Sequence, residues 1–187
     1  MEISCTLTKE AYTNYYYFLQ KKTIKLFRIL GIIFLVGIAL ITVAIFTQNT
    51  SKQEIIEDLE IQIGLAIVFG LLGLYMIFGY KPLTIKLAQK LYESSVYMSC
   101  EPIVTFQFNE NNYKVLTTSK YGIEDCTYSY ELIQRVIETD TSLYIMIATN
   151  QAQILTKNED TDLINKITTH LRSKLGTKYA LQLSKKS

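Results

Sequence analysis

The side chains that could act as nucleophiles, general bases or metal ligands are few and widely spaced. The chain has one histidine, His170, and three cysteines, Cys5, Cys100 and Cys126, none of them in a C-x-x-C pair. No cysteine or carboxylate motif accompanies His170 at the spacing of a metal site. There is also no G-x-S-x-G, P-loop or H-E-x-x-H motif. The sequence therefore predicts no catalytic residue, no cofactor and no metal site, and we expect a protein that is not an enzyme.

Two pairs of adjacent acidic residues are the remaining candidates for acid–base chemistry. Glu124-Asp125 falls in a predicted strand, where neighbouring side chains point to opposite faces and cannot easily converge on one substrate. Glu159-Asp160 falls at the predicted start of a helix, where the helix dipole favours negative charge. Both pairs are explained by their structural positions, so neither predicts an active site.

Two long apolar runs without a charged residue indicate where the protein resides. They cover residues 29–46 and 63–80, and each is close to the shortest length that lets a helix cross about 30 Å of hydrocarbon. A buried helix of a soluble protein usually keeps a polar stripe, which neither run has. We therefore predict a transmembrane hairpin at 29–80 with a connecting loop at 47–62. Because no Asp, Glu, Lys, Arg or His lies inside either span, the hairpin is a poor candidate for a pump or transporter.

The distribution of lysine and arginine predicts the orientation of this hairpin. The loop at 47–62 contains a single basic residue, Lys52, among several acidic ones, whereas basic residues precede the first span and follow the second. Short loops poor in lysine and arginine lie outside the cytoplasm. We therefore expect a multi-pass protein of the cell membrane with both termini in the cytoplasm. The basic residues expected to contact lipids of the inner leaflet are Lys21, Lys22, Lys25, Arg28, Lys81, Lys86 and Lys90.

Small residues within the two spans are candidates for helix packing, because small side chains one turn apart let helices approach closely in lipid. They could form a dimer interface, or they could pack the two spans of one chain against each other. We favour packing within the chain, since a hairpin already provides a neighbouring helix, while a homo-oligomer stays open. The candidate packing residues are Gly37, Ala44, Ala66, Gly70 and Gly73.

The segments next to the spans are predicted to be helical. Residues 1–28 predict a short strand and then an amphipathic helix rich in tyrosine. This helix could be an aromatic binding platform; we prefer a helix packed on the soluble domain near the lipid headgroups, where tyrosine is common. Residues 81–100 predict a juxtamembrane helix that Pro82 ends or bends.

The rest of the chain predicts a soluble β-domain. Within residues 101–176, alternating apolar residues and short turns indicate about six antiparallel strands in a meander. One amphipathic helix, capped by Asn158, closes the domain. Residues 177–187 are expected to form a flexible basic tail. The predicted fold class is an α+β membrane protein, with a transmembrane hairpin and a cytoplasmic antiparallel β-domain closed by a C-terminal helix.

The order of these elements, and several short sequences within them, resemble a known family. The sequences are TLTKEAY near the start and VTFQFNENN, TYSYELIQRVIET and SLYIMIATNQAQILTK after the hairpin. A meander finished by one helix is the plan of pleckstrin-homology-like (PH-like) domains, and the whole pattern resembles the bacterial YcxB-like family. The resemblance implies a small bacterial membrane protein with no known reaction. Family members often have a glycine in the first hairpin, where this chain has Asn111 and Asn112; asparagine tolerates positive φ, so the turn can survive.

The net charge of the chain and of its C-terminal domain reduces the number of partner classes that we expect. The net charge of +2 is far from that of a nucleic-acid-binding polycation, so we expect no nucleic-acid partner. Residues 101–187 carry ten basic and ten acidic residues, whereas a strong headgroup site should show a basic cluster. We therefore expect a membrane-tethered module whose cytoplasmic domain binds a protein partner. The alternatives are an immunity or accessory protein for a toxin or a transporter, and a membrane enzyme with an unrecognised site.

Overall fold

A computed structural model describes residues 1–47, 52–157 and 160–182, with side chains throughout these ranges except in residues 44–62. The chain divides into two compact units. One unit consists of residues 1–19 together with 88–187, and the other consists of residues 20–87. The predicted cap Asn158, the last five residues of the predicted tail and the side chains of the predicted loop lie outside the described residues.

The described part of the chain contains four α-helices and eight strands. The helices are α1 (Lys9–Thr47), α2 (Lys52–Leu74), α3 (Tyr80–Ser94) and α4 (Thr161–Leu175), and a π-helical turn, Tyr75–Gly79, joins α2 to α3. The strands are β1 (Glu2–Thr6), β2 (Ile103–Phe108), β3 (Asn112–Ser119), β4 (Gly122–Ser129), β5 (Arg135–Glu138), β6 (Ser142–Ala148), β7 (Gln151–Thr156) and β8 (Tyr179–Leu181). Short 3-10 turns lie at Met98–Cys100, Tyr130–Leu132 and Gly176–Lys178.

The first sheet has the strand order β1-β2-β3-β4, and all of its strands are antiparallel. In β2, Val104, Phe106 and Phe108 are buried and the residues between them are more exposed, as the side-chain period of two requires. β1 pairs with β2 along its whole length, with Ile3 opposite Phe106. The N-terminal strand thus completes this sheet, whereas we had expected it to form a separate N-terminal region with the helix at 1–28.

The second sheet has the order β7-β6-β5-β8. β6 lies inside the sheet, and its residues from Ser142 to Met146 are all buried, in keeping with its apolar sequence. β8 pairs with β5 in the parallel direction, with Tyr179 opposite Val136. We expected residues 177–187 to be flexible, and the strand at Tyr179–Leu181 corrects this for part of the tail. Without β8, the edge of β5 that faces away from β6 would carry a row of unpaired backbone groups.

Helix α4 packs its apolar stripe into the core of the first unit. The cap of the helix is Asp160 and not Asn158 as we predict from the sequence, because Asp160 Oδ1 accepts a hydrogen bond from the Leu163 amide at 2.9 Å. Ile164, Ile167 and Leu171 are buried and belong to one core cluster with residues of both sheets. The end of the helix is Gly176, whose φ of 51° is a conformation that glycine adopts without steric cost.

The second unit contains the two apolar helical segments. Both helices are long and apolar enough to cross a membrane, and most of their large apolar side chains are exposed. The segments approach closely at two glycines: a Cβ on Gly31 would lie 2.7 Å from the Gly73 carbonyl oxygen and 2.8 Å from Ile77 Cγ1. Phe27 stacks on Tyr80 nearby, with ring centroids 4.2 Å apart. Glycine at both positions therefore permits the backbones to touch.

The helix does not end at Pro82, which differs from one of the two outcomes we predicted. Pro82 lies in the first turn of α3, and the chain stays helical to Ser94. The π-helical turn just before it closes with a hydrogen bond from the Tyr80 amide to the Tyr75 carbonyl. Proline lacks an amide hydrogen and its ring disturbs the preceding helical turn, so an irregular turn at this point is expected. The described elements together form an α+β protein with two long apolar helices, two sheets and a C-terminal helix.

Candidate functional site

The first unit contains a cavity of about 420 Å³. It is bordered by residues of both sheets, by the start of α1 and by the segment that leads into β2. The lining residues are Leu7, Tyr12, Tyr15, Tyr97, Met98, Pro102, Val104, Val115, Thr117, Glu124, Ile147, Asn150, Gln151, Ala152, Gln153 and Ile154. The lining is mainly apolar, and a cavity of this size with a few polar groups is the usual form of a ligand site.

Strand register explains which residues of the first sheet reach the cavity. Val104 is opposite Thr117, and Thr117 is opposite Glu124. Opposed residues in antiparallel strands share a face, so these three side chains form one row across the sheet. Val115 lies on the same face, two residues before Thr117. This face is the one that is buried further along the strands, but Glu124 itself is exposed, so it lies at the open rim of the cavity.

The two ends of β4 have different surroundings. Glu124 lies near the start of β4 and lines the cavity. Just after the other end, the Tyr130 hydroxyl lies 3.0 Å from His170 Nε2 on α4. Helix α4 therefore covers the end of the sheet that is away from the cavity. The cavity end is bordered instead by tyrosines from α1 and from the segment before β2.

Three tyrosines line the cavity, and hydrogen bonds and ring contacts hold two of them. The Tyr15 hydroxyl donates to the Asn150 carbonyl at 3.2 Å, and its ring lies 5.3 Å from that of Tyr144. The Tyr12 ring lies 5.8 Å from Tyr92, whose hydroxyl in turn donates to the Leu7 carbonyl at 2.9 Å. The start of α1 thus packs on the β-domain through its tyrosines, as we predict from the sequence, while its position near the lipid headgroups stays a prediction.

The third tyrosine, Tyr97, has a different environment. Its hydroxyl is buried and has no hydrogen-bond partner among the described residues. Burial raises the pKa of Tyr97, and the negative charge of Glu124 raises it further. The Thr117 side chain lies close enough to oppose this shift, although it does not meet the geometry of a hydrogen bond. Burial of a hydroxyl without a hydrogen-bond partner costs free energy. A ligand that forms a hydrogen bond with this hydroxyl would recover part of that cost.

Glu124 is the one charged residue among those that line the cavity. Within the described ranges it forms no ion pair, whereas its neighbour Asp125, on the opposite face of β4, lies 2.7 Å from Lys114 Nζ. Gln153 Oε1 is also buried without a hydrogen-bond partner there, although the Gln153 side chain lies close enough to the Tyr113 and Tyr128 hydroxyls to oppose the rise in their pKa. Glu124, Gln153 and Tyr97 therefore supply oxygen atoms that can accept hydrogen bonds, and the neutral polar residues Thr117, Asn150 and Gln151 share the mainly apolar and aromatic wall with them.

A second polar cluster surrounds Glu138, which is buried. Its carboxylate accepts hydrogen bonds from Lys157 Nζ at 2.8 Å, Arg172 Nη2 at 2.7 Å and Tyr179 Oη at 2.6 Å. Burial by itself raises the pKa of the Glu138 carboxyl, but the three donors outweigh this effect and lower the pKa to about 2. The carboxylate of Glu138 is thus occupied by three donors of the same fold, and this cluster joins β5, α4 and β8.

The histidine and the cysteines do not converge on a site. His170 is hydrogen-bonded to Tyr130, and no group of three or more metal-ligating side chains occurs in the described ranges. All three cysteines are free thiols. Cys5 is buried, and burial raises the pKa of its thiol, so it is a poor nucleophile. Cys126 is exposed on β4.

The residues predicted from the sequence to pack the hairpin have varied surroundings. Gly73 contacts Gly31 and Leu35, whereas a Cβ on Gly37 would meet no atom within 4 Å. Gly70 lies 4.0 Å from Ile38 Cδ1 when a Cβ is built on it. Ala66 is partly exposed, and the side chain of Ala44 lies outside the described part. All seven basic residues predicted to contact the inner leaflet are exposed.

The sequence analysis did not identify Tyr97 or Glu124 as site residues. One signal was available for Glu124: in β4 it shares a face with Cys126 and Tyr128, and Tyr128 packs on the core. However, the opposite face begins with the apolar Ile123, so alternation alone did not show which face is inside. No local pattern distinguishes Tyr97 from the other tyrosines near the spans.

No known protein family, curated protein or solved structure matches this chain. The predicted relationship to the YcxB-like family therefore stays a prediction, and the function must be inferred from the site itself.

Proposed function

We propose that this protein is a non-enzymatic membrane-anchored interaction module, in which the hairpin inserts into the bilayer and the β-domain binds a protein partner in the cytoplasm. The observation that supports insertion most strongly is the exposure of the hairpin. Large apolar side chains such as Ile33, Leu40, Ile67 and Leu71 are more than half exposed. In water this surface would drive aggregation, whereas in lipid it lowers the free energy of insertion.

The charge distribution supports our proposal that the β-domain lies in the cytoplasm. The exposed basic residues on both sides of the hairpin, among them Lys25 and Lys86, suit the anionic inner leaflet. We further propose that the first unit is a PH-like domain. Two sheets, with α4 covering one end, support this assignment, and the bacterial origin and the YcxB-like relationship belong to the same proposal.

The β-domain is better suited to bind a protein partner than to catalyse a reaction. Among the described residues that line the cavity, the ionisable groups are one carboxylate and three tyrosines, with no histidine, cysteine or second carboxylate, so the usual convergent set of acid, base and nucleophile is missing there. The polar cluster at Glu138 is saturated by donors of the same fold. A preformed apolar cavity at the surface of a tethered domain is suited to receive side chains from another protein.

Purification of the full chain in native lipid discs tests this proposal in two steps. First, the chain should remain in the membrane pellet after carbonate washing, and Leu72→Lys should weaken insertion by about 2.5–3.5 kcal/mol. Ser119→Lys, on a strand of the β-domain, is the matched control and should leave insertion unchanged. Second, one protein should co-purify in stoichiometric amount. A chain released by carbonate, or one that purifies alone at native expression, would contradict the proposal.

A further inference from the structure

We propose that the cavity binds an arginine side chain of the partner protein, with the guanidinium group at Glu124 and an adjacent apolar side chain deeper in the cavity. This inference rests on the proposed function, because it specifies what the partner contributes to the interface. It is supported by the charge, the hydrogen-bonding groups, the aromatic lining and the size of the cavity.

The charge of the cavity lining indicates the sign of the charge on the ligand. Glu124 is the one charged side chain in the lining, and it forms no ion pair among the described residues. No lysine, arginine or histidine lines the cavity. An anionic or phosphate-bearing ligand would therefore meet an uncompensated carboxylate, whereas a cation would neutralise it. The cavity is electrostatically complementary to a positive group.

The hydrogen-bonding groups indicate the kind of cation. Glu124 and Gln153 Oε1 can only accept hydrogen bonds, and the Tyr97 oxygen can accept one as well. The last two atoms are buried without a partner in the described structure. A guanidinium group has five donors in a planar arrangement and no acceptor, so it can satisfy several of these oxygens at once. A lysine ammonium is more strongly hydrated and offers three donors from a single point.

The aromatic residues favour the same group. Tyr12, Tyr15 and Tyr97 line the cavity together. The face of an aromatic ring attracts a cation, and arginine in particular stacks on tyrosine because its guanidinium is planar and weakly hydrated. Tyr15 is held by its hydrogen bond to Asn150, so its ring is already positioned. Preorganised rings reduce the entropy lost on binding.

The cavity is too large for a single side chain of the partner to fill. A cavity of about 420 Å³ exceeds the space that one arginine side chain fills. The remaining wall is apolar and includes Val104, Val115 and Ile147. An aliphatic residue beside the arginine would cover this wall and exclude water from the guanidinium. The partner segment should therefore contain arginine next to a residue such as leucine.

Two synthetic peptides test the inference with the full chain in lipid discs. The first is acetyl-Leu-Arg-Leu-amide, and the second contains citrulline, a neutral isostere, in place of arginine. Calorimetric titration should show that the arginine peptide binds a few-fold more tightly, as expected for an ion pair with the exposed carboxylate of Glu124. Glu124→Gln should remove this preference. Asp125→Asn, on the other face of the same strand, should retain it.

A second variant separates the role of the hydroxyl from that of the ring. Tyr97→Phe keeps the aromatic side chain and removes a hydroxyl that has no partner in the fold, so we expect it to stay folded. It should weaken binding of the arginine peptide by a few-fold. Equal binding of the two peptides to the unmodified chain, or no binding of either, would overturn the inference. Tighter binding of agmatine than of the arginine peptide would also overturn it, since the cavity would then suit a small molecule.

Comparison with the co-purified partner distinguishes the two proposals. If Glu124→Gln releases a partner that the unmodified chain retains, both proposals are supported. If the partner is retained equally and the peptides do not differ, the arginine site is wrong and the interaction module stands. If the arginine peptide is preferred but no partner is recovered, the proposed function is wrong and the site stands.

Discussion

The Tyr179 hydroxyl donates a hydrogen bond to Glu138 Oε2 at 2.6 Å, and this bond joins the last described strand to the strand beside it. Tyr179 begins β8, and Glu138 ends β5. The same carboxylate also forms ion pairs with Lys157 and Arg172. One buried acid thus connects three elements that are far apart in the sequence, which makes it a good position at which to test the stability of the β-domain.

We predict that acid destabilises the β-domain through Glu138. The pKa of its carboxyl is lowered to about 2 from an ordinary value near 4.5. A group with a lowered pKa contributes stability above its unfolded value, and that contribution is lost as the pH falls toward the folded value. Between about pH 4.5 and pH 2 the free energy of unfolding should therefore fall by roughly 3 kcal/mol from this group. Hydrogen exchange of β8 amides, measured across this range, reports the loss.

Replacing the carboxylate should remove that pH dependence. Glu138→Gln should lower the free energy of unfolding by about 2–3 kcal/mol at pH 7, because the partly buried Lys157 loses its counter-charge. The variant should then change little in stability between pH 4.5 and pH 2. Glu110→Gln, at an exposed position, is the control and should behave like the unmodified chain. An unchanged acid response in Glu138→Gln would contradict the prediction.

The contact between Gly31 and Gly73 makes a prediction about the hairpin. Gly31→Ala places a methyl group 2.7 Å from a backbone oxygen, so the two helical segments must separate. Overpacking of this kind costs about 1–3 kcal/mol. Gly37→Ala is the matched control, because its Cβ would meet no atom within 4 Å. The thermal midpoint of the purified protein in detergent should fall for the first variant only; equal midpoints would mean that the segments do not touch there.

Helix α4 should be required for the β-domain to stay folded. Ile167 is fully buried in the core cluster that joins α4 to the sheets. Ile167→Asp would bury a carboxylate without a partner and should cost at least about 3 kcal/mol. Limited proteolysis in detergent should then degrade the β-domain rapidly. Lys166→Asp, at the neighbouring exposed position, should leave the protein resistant, and equal resistance of both variants would show that α4 is not needed.

Cysteine labelling tests the proposed topology. Cys5, Cys100 and Cys126 all lie outside the two apolar runs, on what we propose is the cytoplasmic side. A membrane-impermeant maleimide should therefore leave them unmodified in intact cells. After gentle lysis, the exposed Cys126 should react before the buried Cys5, which should require denaturation. Asn49→Cys, in a background without the native cysteines, should react in intact cells. Labelling of native Cys126 in intact, unleaky cells would invert the topology.

Local sequence patterns were sufficient to predict those helices and strands whose own periodicity shows which face is buried. The alternation from 104 to 108 predicted the strand that is observed at Ile103–Phe108, and the apolar stripe through Ile167 predicted α4. These patterns depend on the period of one helix or strand, and burial of one face reinforces it. The two long apolar helices were also evident, because they require only a run of apolar residues.

The pairing of distant segments was decided by the tertiary structure. β1 and β8 are short, and nothing in their sequences shows that one completes the first sheet and the other the second. Strand partners are selected by long-range packing, which a local period does not encode. The close approach of Gly31 to Gly73 has the same origin, because it depends on how two helices are rotated about their axes.

The cavity shows most clearly what local patterns leave open. Glu124 and Asp125 are chemically alike and adjacent, and the sequence does determine that they point to opposite faces of β4. Which of them faces inward depends on the register of β4 against β3, since a shift of one residue exchanges the two faces. The tertiary structure pairs Asp125 with Lys114 and leaves Glu124 in the cavity beside Tyr97, because the buried face of the first sheet selects that register.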